Sequence, residues 1–325
     1  MKLRISILGE YGLIKRFVKR FLPTQKNLLV PIGDDSFVAR SPKGCIVITT
    51  DLLIENVHFS LNWINSLKNR REFFKALGYK SLAVNISDLS AMGCAKPLYC
   101  IISLGIPEYI TVEDIENFYS GLEILSKKFN ILIAGGDTNS AESFIINIGL
   151  IGSIPEDKII KRSGAKPGNK IYISGQLGDA SAGLKILQSQ KHSTKDDCYF
   201  IKKHLYPPVR IKETKIISNY ATSMIDCSDG LVNSIKLICE TSKVGANVYI
   251  EKVPVSEKLK KNFPNWQEFV LYGGEDYELI FTSDKKNKFE CIGEIIPKKS
   301  GINFFYNGRK IKIQKEKLIH HFKPI

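Results

Sequence analysis

The segment Cys45-Ile46-Val47-Ile48-Thr49-Thr50-Asp51 decides how the rest of the chain is interpreted. It begins as a short apolar run of mostly β-branched residues and ends in two hydroxyls and a carboxylate. This pattern predicts a buried strand with an acidic residue at its tip. A single Asp after a strand is a weak sign of function, because turns favour Asp for geometrical reasons of their own.

The same arrangement recurs five times elsewhere in the chain, each time beside Gly or Ser and next to an apolar segment. The clusters are Gly33-Asp34-Asp35, Asn85-Ile86-Ser87-Asp88, Gly135-Gly136-Asp137, Asp226-Cys227-Ser228-Asp229 and Gly273-Gly274-Glu275-Asp276. Taken singly, each cluster also fits a structural role as a turn or a helix cap. Because the arrangement repeats, we interpret the clusters as parts of one convergent acidic site.

Converging carboxylates repel one another unless cations lie between them. Hard divalent cations prefer oxygen ligands, and a carboxylate-rich cluster without cysteine is typical of magnesium. Magnesium held in this way usually binds phosphate oxygens as well, and phosphoryl transfer needs positioning and charge neutralisation more than covalent chemistry. The sequence contains no nucleophile elbow, no P-loop and no dinucleotide-binding glycine motif. The clusters therefore predict phosphoryl transfer in which any ATP is held without a P-loop.

Two basic side chains are candidates for contacts to a phosphate or a substrate. Arg162 lies in a glycine-punctuated loop, and a guanidinium suits bidentate binding of phosphate. His58 follows the central strand and is close in sequence to Asp51. An ordinary role stays open for each: Arg162 also fits a surface arginine, and His58 also fits a structural histidine.

Composition restricts the class of protein. With 325 residues, of which 43% are hydrophobic, the chain can form two domains with ordinary cores, and no apolar run is long enough for a membrane span. No apolar leader follows the N-terminus and the seven cysteines form no C-x-x-C pair, so we expect a cytoplasmic protein with reduced thiols. The net charge of +14 leaves nucleic-acid binding open, although lysines on solvated helix faces are the more ordinary cause.

Apolar periodicity predicts strands and helices that mix without the strict alternation of a doubly wound sheet. Predicted strands cover 28–32, 98–104, 131–134, 144–151, 170–174, 223–225, 247–250 and 277–282. Predicted helices cover 10–21, 111–129, 179–188, 211–219, 231–240 and, with an interruption, 70–92. Asn307-Gly308 predicts a hairpin over 302–313. A change of composition near Pro155 predicts two α/β or α+β domains, at 1–154 and 155–325.

In their order and spacing, the acidic clusters and their flanking residues resemble the thiamine-monophosphate kinase family. The matching segments are Gly33-Asp34-Asp35, Thr49-Thr50-Asp51 with Glu55 and His58-Phe59, residues 82–93, Gly135-Gly136-Asp137-Thr138, residues 162–168, residues 226–231 and residues 273–279. The resemblance covers almost the whole chain. Aminoimidazole ribonucleotide synthetase, selenophosphate synthetase and a hydrogenase maturation protein share the acidic pattern and the fold, but not this set of motifs.

The resemblance implies an N-terminal α/β domain with a mixed sheet, which binds ATP and metal and pairs with its copy in a homodimer. A C-terminal α+β domain follows. The implied reaction transfers the γ-phosphate of ATP directly to thiamine monophosphate, giving thiamine diphosphate without a phospho-enzyme. Several Mg²⁺ ions are expected, with K⁺ as a further candidate ion. The implied partners are ATP, thiamine monophosphate and a second copy of the chain, and neither nucleic acid nor a membrane.

The resemblance also implies a role for each matching residue. The expected magnesium ligands are Asp35, Thr49, Thr50, Asp51, Asp88, Asp137, Asp226 and Asp229. Of these, the ones expected to be essential for catalysis are Asp51, Asp88, Asp137 and Asp229. Expected contacts to ATP come from Gly136, Arg162, Ser228 and Tyr119, and expected contacts to the thiamine moiety come from His58 and Glu275.

Two positions depart from the family pattern. Asn56 stands where the family often has Gly. Before His321-Phe322, Leu318 or Ile319 takes the place of an aromatic residue expected to cover the substrate. Two competing hypotheses remain: an ATP-dependent synthetase of the same superfamily with another substrate, and a basic nucleic-acid-binding protein.

Overall fold

The computed structural model describes residues 28–30, 36–67, 69–189 and 194–318, together with positions 4, 5, 7, 8, 12, 13 and 16. The chain divides into two compact units, one formed by Met1–Leu89 and Ala95–Glu156 and the other by Ser90–Cys94 and Asp157–Ile325. The sequence places the domain boundary between 154 and 155, and the observed division falls between 156 and 157. The assignment of Ser90–Cys94 to the second unit has no counterpart in the sequence pattern.

The first unit is built around a four-stranded mixed sheet. Its elements are β1 (Leu28–Val30), β2 (Val38–Ala39), β3 (Cys45–Ile54), α1 (Trp63–Leu67), α2 (Arg70–Ala91), β4 (Lys96–Ile106), α3 (Val112–Phe129), β5 (Leu132–Ser140) and β6 (Ile145–Ile154). The strand order is β3-β6-β4-β5, with a parallel β4/β5 pair and antiparallel pairs elsewhere. β1 and β2 form a separate antiparallel ribbon. The predicted helix over 10–21 lies largely outside the described residues.

β3 differs from the buried strand that the sequence predicts. It is an edge strand, and its residues alternate between half-buried and exposed positions up to Leu52. Ile46 and Ile48 are 56% and 68% exposed, because no described element of this unit covers their face of the sheet. The strand also continues to Ile54, so Asp51 lies within it and not at its tip.

The core of the first unit forms around Phe144, which is fully buried. The ring centroids of Phe59, Phe74 and Phe118 lie 6.0, 6.1 and 6.3 Å from that of Phe144. α2 enters this core, and it is continuous where the sequence predicts an interruption. Two of its buried polar residues, Ser81 and Asn85, donate to carbonyls of the preceding turn over 2.7 and 2.9 Å, so they do not break it.

The second unit is built around a seven-stranded sheet in the order β13-β12-β9-β11-β7-β10-β8. Its elements are β7 (Lys170–Ile173), α4 (Asp179–Ser189), α5 (Lys195–Leu205), α6 (Ile211–Ile217), β8 (Ser223–Asp226), α7 (Leu231–Ser242), β9 (Gly245–Tyr249), α8 (Glu257–Asn262), α9 (Trp266–Tyr272), β10 (Leu279–Ser283), β11 (Glu290–Ile296), β12 (Ile302–Tyr306) and β13 (Arg309–Ile311). Only the β9/β12 pair is parallel. The predicted combination of α/β and α+β architectures is confirmed.

The hairpin predicted over 302–313 is confirmed. Tyr306 pairs with Arg309, and the turn residues Asn307 and Gly308 have φ angles of +49° and +74°. These left-handed conformations are the ones that an Asn-Gly turn supplies at low cost. The sequence missed β11, whose residues Glu290 and Glu294 interrupt the apolar pattern. Among the described residues, none of the helices is sufficiently long and apolar to pass through a bilayer.

Candidate active site

In the first unit, the structure brings Thr49 and Asp88 together. Thr49 Oγ1 donates a hydrogen bond of 2.5 Å to Oδ2 of Asp88, which joins β3 to the second half of α2. Thr49 and Asp51 lie on the same face of β3, since side chains two residues apart in a strand point the same way. Both residues and Asp88 are half-buried. Three of the predicted ligands are therefore placed on one side of the sheet.

Thr50 lies on the opposite face of β3 from Thr49 and Asp51. Its Oγ1 accepts a hydrogen bond of 2.9 Å from Nδ2 of Asn147 on β6, and the same amide group lies 3.3 Å from the carbonyl oxygen of Asp51. Thr50 is exposed and shares its face with Ile48 and Leu52. The structure does not bring the side chain of Thr50 together with those of the neighbouring predicted ligands.

Asp137 lies on β5, the other edge of the sheet. The ladder pairs Asp51 with Ile148, Ile148 with Ile102 and Ile102 with Gly136, so three strand spacings, or about 14 Å, separate the backbones of Asp51 and Gly136. Asp137 is exposed, and its carboxylate accepts the amide N–H of Thr138 and Nδ2 of Asn139. Within this unit, Asp137 and Asp51 therefore lie at opposite edges of the sheet.

Gly136 is required by the close approach of two strands. A Cβ atom at this position would lie 1.8 Å from the carbonyl oxygen of Ile102 on β4. The predicted turn at 135–137 is instead part of β5, which runs to Ser140. The glycine thus lets the strand carrying Asp137 pair closely with β4.

The donor set in the first unit fits magnesium by chemistry. Thr49, Asp51 and Asp88 offer hydroxyl and carboxylate oxygens only, which are the ligands that a hard divalent cation prefers. Among the described residues, no group of three His, Cys, Asp or Glu side chains forms a ready-made metal cluster. Asp35, a further expected ligand, lies outside the described residues.

His58 lies in a turn that bends back onto β3. The backbone N–H of Ile54 donates to Nδ1 of His58 over 3.1 Å, so Nδ1 is an acceptor and the neutral ring carries its proton on Nε2. Asn56 in the same turn has a φ of +63°. Asn tolerates this left-handed conformation better than other residues with a side chain, which explains why it can stand where the family often has Gly.

Two other residues of the first unit are held inside the protein. Glu55 accepts hydrogen bonds from the N–H of Phe144 (2.9 Å) and the hydroxyl of Tyr109 (2.7 Å). Burial, together with the carboxylate of Glu55, raises the pKa of Tyr109 to about 12. Tyr119, the expected adenine contact, is 8% exposed and packs against Phe118. Burial raises the pKa of Tyr119, and its contact to ATP stays a prediction.

In the second unit, the structure joins two of the acidic motifs directly. The backbone N–H of Glu275 donates to the carbonyl of Ser228 over 2.7 Å, and that of Tyr277 donates to Cys227 over 3.0 Å. Asp226 ends β8 and is 4% exposed, whereas Ser228 and Asp229 are half-buried. Residues 226–229 and 273–278 therefore form one local structure, although Gly273 lies 44 positions after Asp229 in the sequence.

The N-terminus of α7 follows the first of these motifs. Its N-cap residue is Gly230, and no side chain caps the helix there. The sequence left open that residues 226–230 form a helix N-cap with Asp in the first turn, and in the structure neither a side-chain cap nor an acid in the first turn is present. A helix start with uncapped amide groups favours an anion, which is compatible with the expected contact of Ser228 to ATP.

The loop 273–278 is anchored on both sides of Glu275. Asp276 accepts hydrogen bonds from the N–H groups of Gly178 (2.7 Å) and Ala180 (3.2 Å), and so caps α4 from a distance. Burial raises the pKa of Asp276 well above its usual range, although these two amide groups act in the other direction. Glu278 accepts Ser174 Oγ over 2.5 Å and binds Arg210 in a bidentate ion pair.

Two residues of this loop have strained backbones. Glu275 and Tyr277 have φ angles of +72° and +50°, in the left-handed region that non-glycine residues rarely adopt. Each such conformation costs on the order of 1–3 kcal/mol and persists only where the surroundings enforce it. Here the hydrogen bonds of Asp276 and Glu278 hold the backbone of the loop in this conformation.

Arg162 is exposed in the loop before β7. The carbonyl of Arg162 accepts a hydrogen bond from Oγ of Ser242 at the end of α7, and the carbonyl of Lys161 accepts the N–H of Met224 on β8. The backbone of the loop is thereby tied to the strand that ends in Asp226. No sequence motif marks Arg210, Ser174 or His204 in this unit, because none of them lies in an acidic cluster.

Comparison with known proteins identifies the family. Residues 33–154 match the family model of AIR synthase related protein, N-terminal domain, and residues 166–316 match the corresponding C-terminal domain. A thiamine-monophosphate kinase of Buchnera aphidicola subsp. Schizaphis graminum is 37% identical over 330 residues, covering 96% of this chain and 98% of that protein. The chain belongs to the thiamine-monophosphate kinase family.

A second thiamine-monophosphate kinase, from Aquifex aeolicus, is 34% identical over 317 residues, covering 95% of this chain and 98% of that protein. Among solved structures, AaThiL complexed with AMPPCP and TMP matches with a TM-score of 0.74 at 32% identity. The match covers 97% of this chain and 98% of that one. The resemblance read from the motifs to the thiamine-monophosphate kinase family is thus confirmed over nearly the whole chain.

Proposed function

We propose that this protein transfers the γ-phosphate of ATP to thiamine monophosphate, giving thiamine diphosphate and ADP, with the assistance of several magnesium ions. The observation that carries the proposal is the near-complete match to a relative solved with an ATP analogue and TMP. The local geometry supports it, since predicted contact residues for ATP and for the thiamine moiety, Ser228 and Glu275, are hydrogen-bonded neighbours in the second unit.

The reaction needs no protein nucleophile. A phosphate oxygen of thiamine monophosphate attacks the γ-phosphorus of ATP, the bond to the β,γ-bridging oxygen breaks, and ADP leaves with that oxygen. A phosphate monoester has its second pKa near 6, so the attacking oxygen is largely deprotonated at neutral pH and requires no strong general base. This explains why the chain has no nucleophile elbow and no recognisable acid–base pair.

The residues proposed to hold magnesium are the acids and threonines of the two units. In the first unit they are Asp35, Thr49, Thr50, Asp51, Asp88 and Asp137, and in the second they are Asp226 and Asp229. Bound Mg²⁺ neutralises charge on the phosphates and on the leaving ADP. Thr49 holds Asp88 in place through their hydrogen bond, and K⁺ stays a further candidate ion.

Electrostatics supports the proposed substrate contact in the second unit. Glu275 can place a carboxylate against the cationic thiazolium ring, and its side chain is 23% exposed. Arg162 and Gly136 are proposed to contact ATP, as are Ser228 and Tyr119. His58 is proposed to contact the thiamine moiety through Nε2, because Nδ1 already accepts the N–H of Ile54.

We also propose that the protein is a cytoplasmic homodimer. The uncovered face of β3 carries Ile46, Ile48 and Leu52, which are 56%, 68% and 46% exposed, and an apolar edge strand of this kind normally has a partner. All seven cysteines are free, as a reducing compartment allows.

The test is an assay of thiamine diphosphate formed from thiamine monophosphate and ATP, followed as its fluorescent oxidation product. We expect product with magnesium, none after chelation by EDTA, and recovery on adding magnesium back. Asp51→Asn should lower turnover by two or more orders of magnitude with an unchanged circular dichroism spectrum.

The matched control is Asp284→Asn, since Asp284 is exposed and lies outside every acidic cluster. It should keep full activity. Normal turnover in Asp51→Asn would overturn the role of that carboxylate. ADP release with a ribonucleotide amidine, and none with thiamine monophosphate, would instead favour a synthetase.

A further inference from the structure

His204 is a side chain that lies next to Glu275 within the second unit. It lies in the last turn of α5 and is 1% exposed. Its Nδ1 atom lies 3.8 Å from Oε2 of Glu275. This distance is longer than a direct hydrogen bond, so the imidazole and the carboxylate meet as close neighbours.

The imidazole is held by a helix that has little freedom to shift. Thr194 and Asp197 form a capping box at the start of α5. The backbones of α4 and α5 pack closely at Gly183. A Cβ atom at this glycine would lie 2.1 Å from the carbonyl oxygen of Phe200 and 3.0 Å from Cβ of His204. A side chain on such a packed helix is a rigid neighbour for a loop beside it.

The backbone of Glu275 is fixed as well, because Asp276 caps α4 and Glu278 binds Arg210 and Ser174. These anchors do not determine where the carboxylate points, since the side chain of Glu275 keeps its own rotatable bonds. Within the second unit, the structure places His204 beside that carboxylate.

We propose that His204 is a positioning residue, which holds the carboxylate of Glu275 in the orientation that receives the cationic ring of the substrate. The inference rests on the proposed function. Without the imidazole, the carboxylate has more orientations and must be ordered when the substrate binds, so affinity for the cation falls. The phosphoryl-transfer step itself does not involve His204.

The first test compares three substitutions of His204 in the full-length chain. His204→Phe should raise KM for thiamine monophosphate about tenfold, within the range of coupling between contacting residues, and leave kcat and KM for ATP within about twofold. His204→Asn puts an amide near the position of Nδ1 and should restore most of the affinity. His204→Gln puts it near Nε2 and should not.

Ile201→Val, a small core change on the same helix, serves as the matched control and should leave KM unchanged. If His204→Phe does not fold, the difference in KM between His204→Asn and His204→Gln still tests the proposal. Equal KM values for His204→Asn, His204→Gln and the unsubstituted enzyme would overturn the proposal.

The second test is a double-mutant cycle with Glu275→Gln. If His204 acts through Glu275, adding His204→Phe to Glu275→Gln should change KM by less than about twofold. If His204→Phe raises KM by the same factor with Glu275 as with Glu275→Gln, the inference is overturned and His204 has only a general structural role. An unsubstituted chain that forms no thiamine diphosphate would contradict the proposed function itself, which is a separate and distinguishable result.

Discussion

At the scale of single residues, the pair Arg70 and Asp114 joins the start of α2 to the start of α3. Nε and Nη2 of Arg70 each donate to Asp114 over 2.7 Å, and the side chain of Asp114 is 1% exposed. Burial alone would raise the pKa of Asp114, but its bonds to Arg70 and Thr111 outweigh burial and lower it. Asp114 is therefore charged in the folded protein at neutral pH.

Asp114→Asn should reduce the free energy of unfolding by about 3 kcal/mol at pH 7, because it leaves the guanidinium partly buried without its counter-charge. The folded pKa lies below the unfolded value of about 3.9, so the unfolded state binds more protons in acid and the contribution is lost as pH falls through the folded pKa. Urea unfolding at pH 7 and pH 3 should show the difference between the two proteins shrink in acid.

The control for this prediction is Glu123→Gln on α3. Glu123 pairs with Lys127, whose side chain is 76% exposed, and such surface pairs contribute less than about 1 kcal/mol. If Asp114→Asn lowers the free energy of unfolding by as little as this control does, the role given to the buried pair is contradicted.

The sequence predicts single residues unevenly. It locates the acidic motifs, because repeated acids beside glycine are visible without a structure. It does not show which face of β3 is covered, since the edge position of the strand and its neighbours determine that. The partners Arg210 and His204 lie far from their acids in sequence and are identified only by distance.

At the scale of elements, α4 depends on a cap that comes from another part of the chain. The carboxylate of Asp276 accepts two N–H groups at the start of the helix. Asp276→Ala should lower the free energy of unfolding by about 1–2 kcal/mol and speed hydrogen exchange in the first turn of α4. Mass spectrometry of exchanged peptides measures the local effect.

Thr111→Ala is the matched control, because Thr111 caps α3 from its own neighbouring position. Its faster exchange should be confined to α3. Exchange in α4 that stays the same after Asp276→Ala would exclude the long-range cap.

Several predicted elements are confirmed with shifted ends. The strands expected to stop at Asp51 and at Gly135 continue to Ile54 and Ser140. The sequence signals there, acids and glycines, are typical of turns. Pairing with β6 and β4 overrides them, because neighbouring strands satisfy the backbone groups that a turn would otherwise leave to water.

At the scale of the whole molecule, the uncovered face of β3 is where we expect the second copy to bind. Ile48→Asp places a charge at the most exposed of its apolar positions and should give a monomer in light scattering coupled to gel filtration. Ile216→Asp is the control, since Ile216 is 40% exposed on α6 in the second unit. A dimer that persists in Ile48→Asp would exclude this face as the interface.

The cap on α4 also has a consequence for biosynthesis. Gly178 and Asp276 are 98 residues apart in the chain. At translation rates of about 5–20 residues per second, the start of α4 emerges roughly 5–20 seconds before the carboxylate that completes it. We therefore expect a nascent second unit to remain open to chaperones and proteases until the ribosome has passed Asp276.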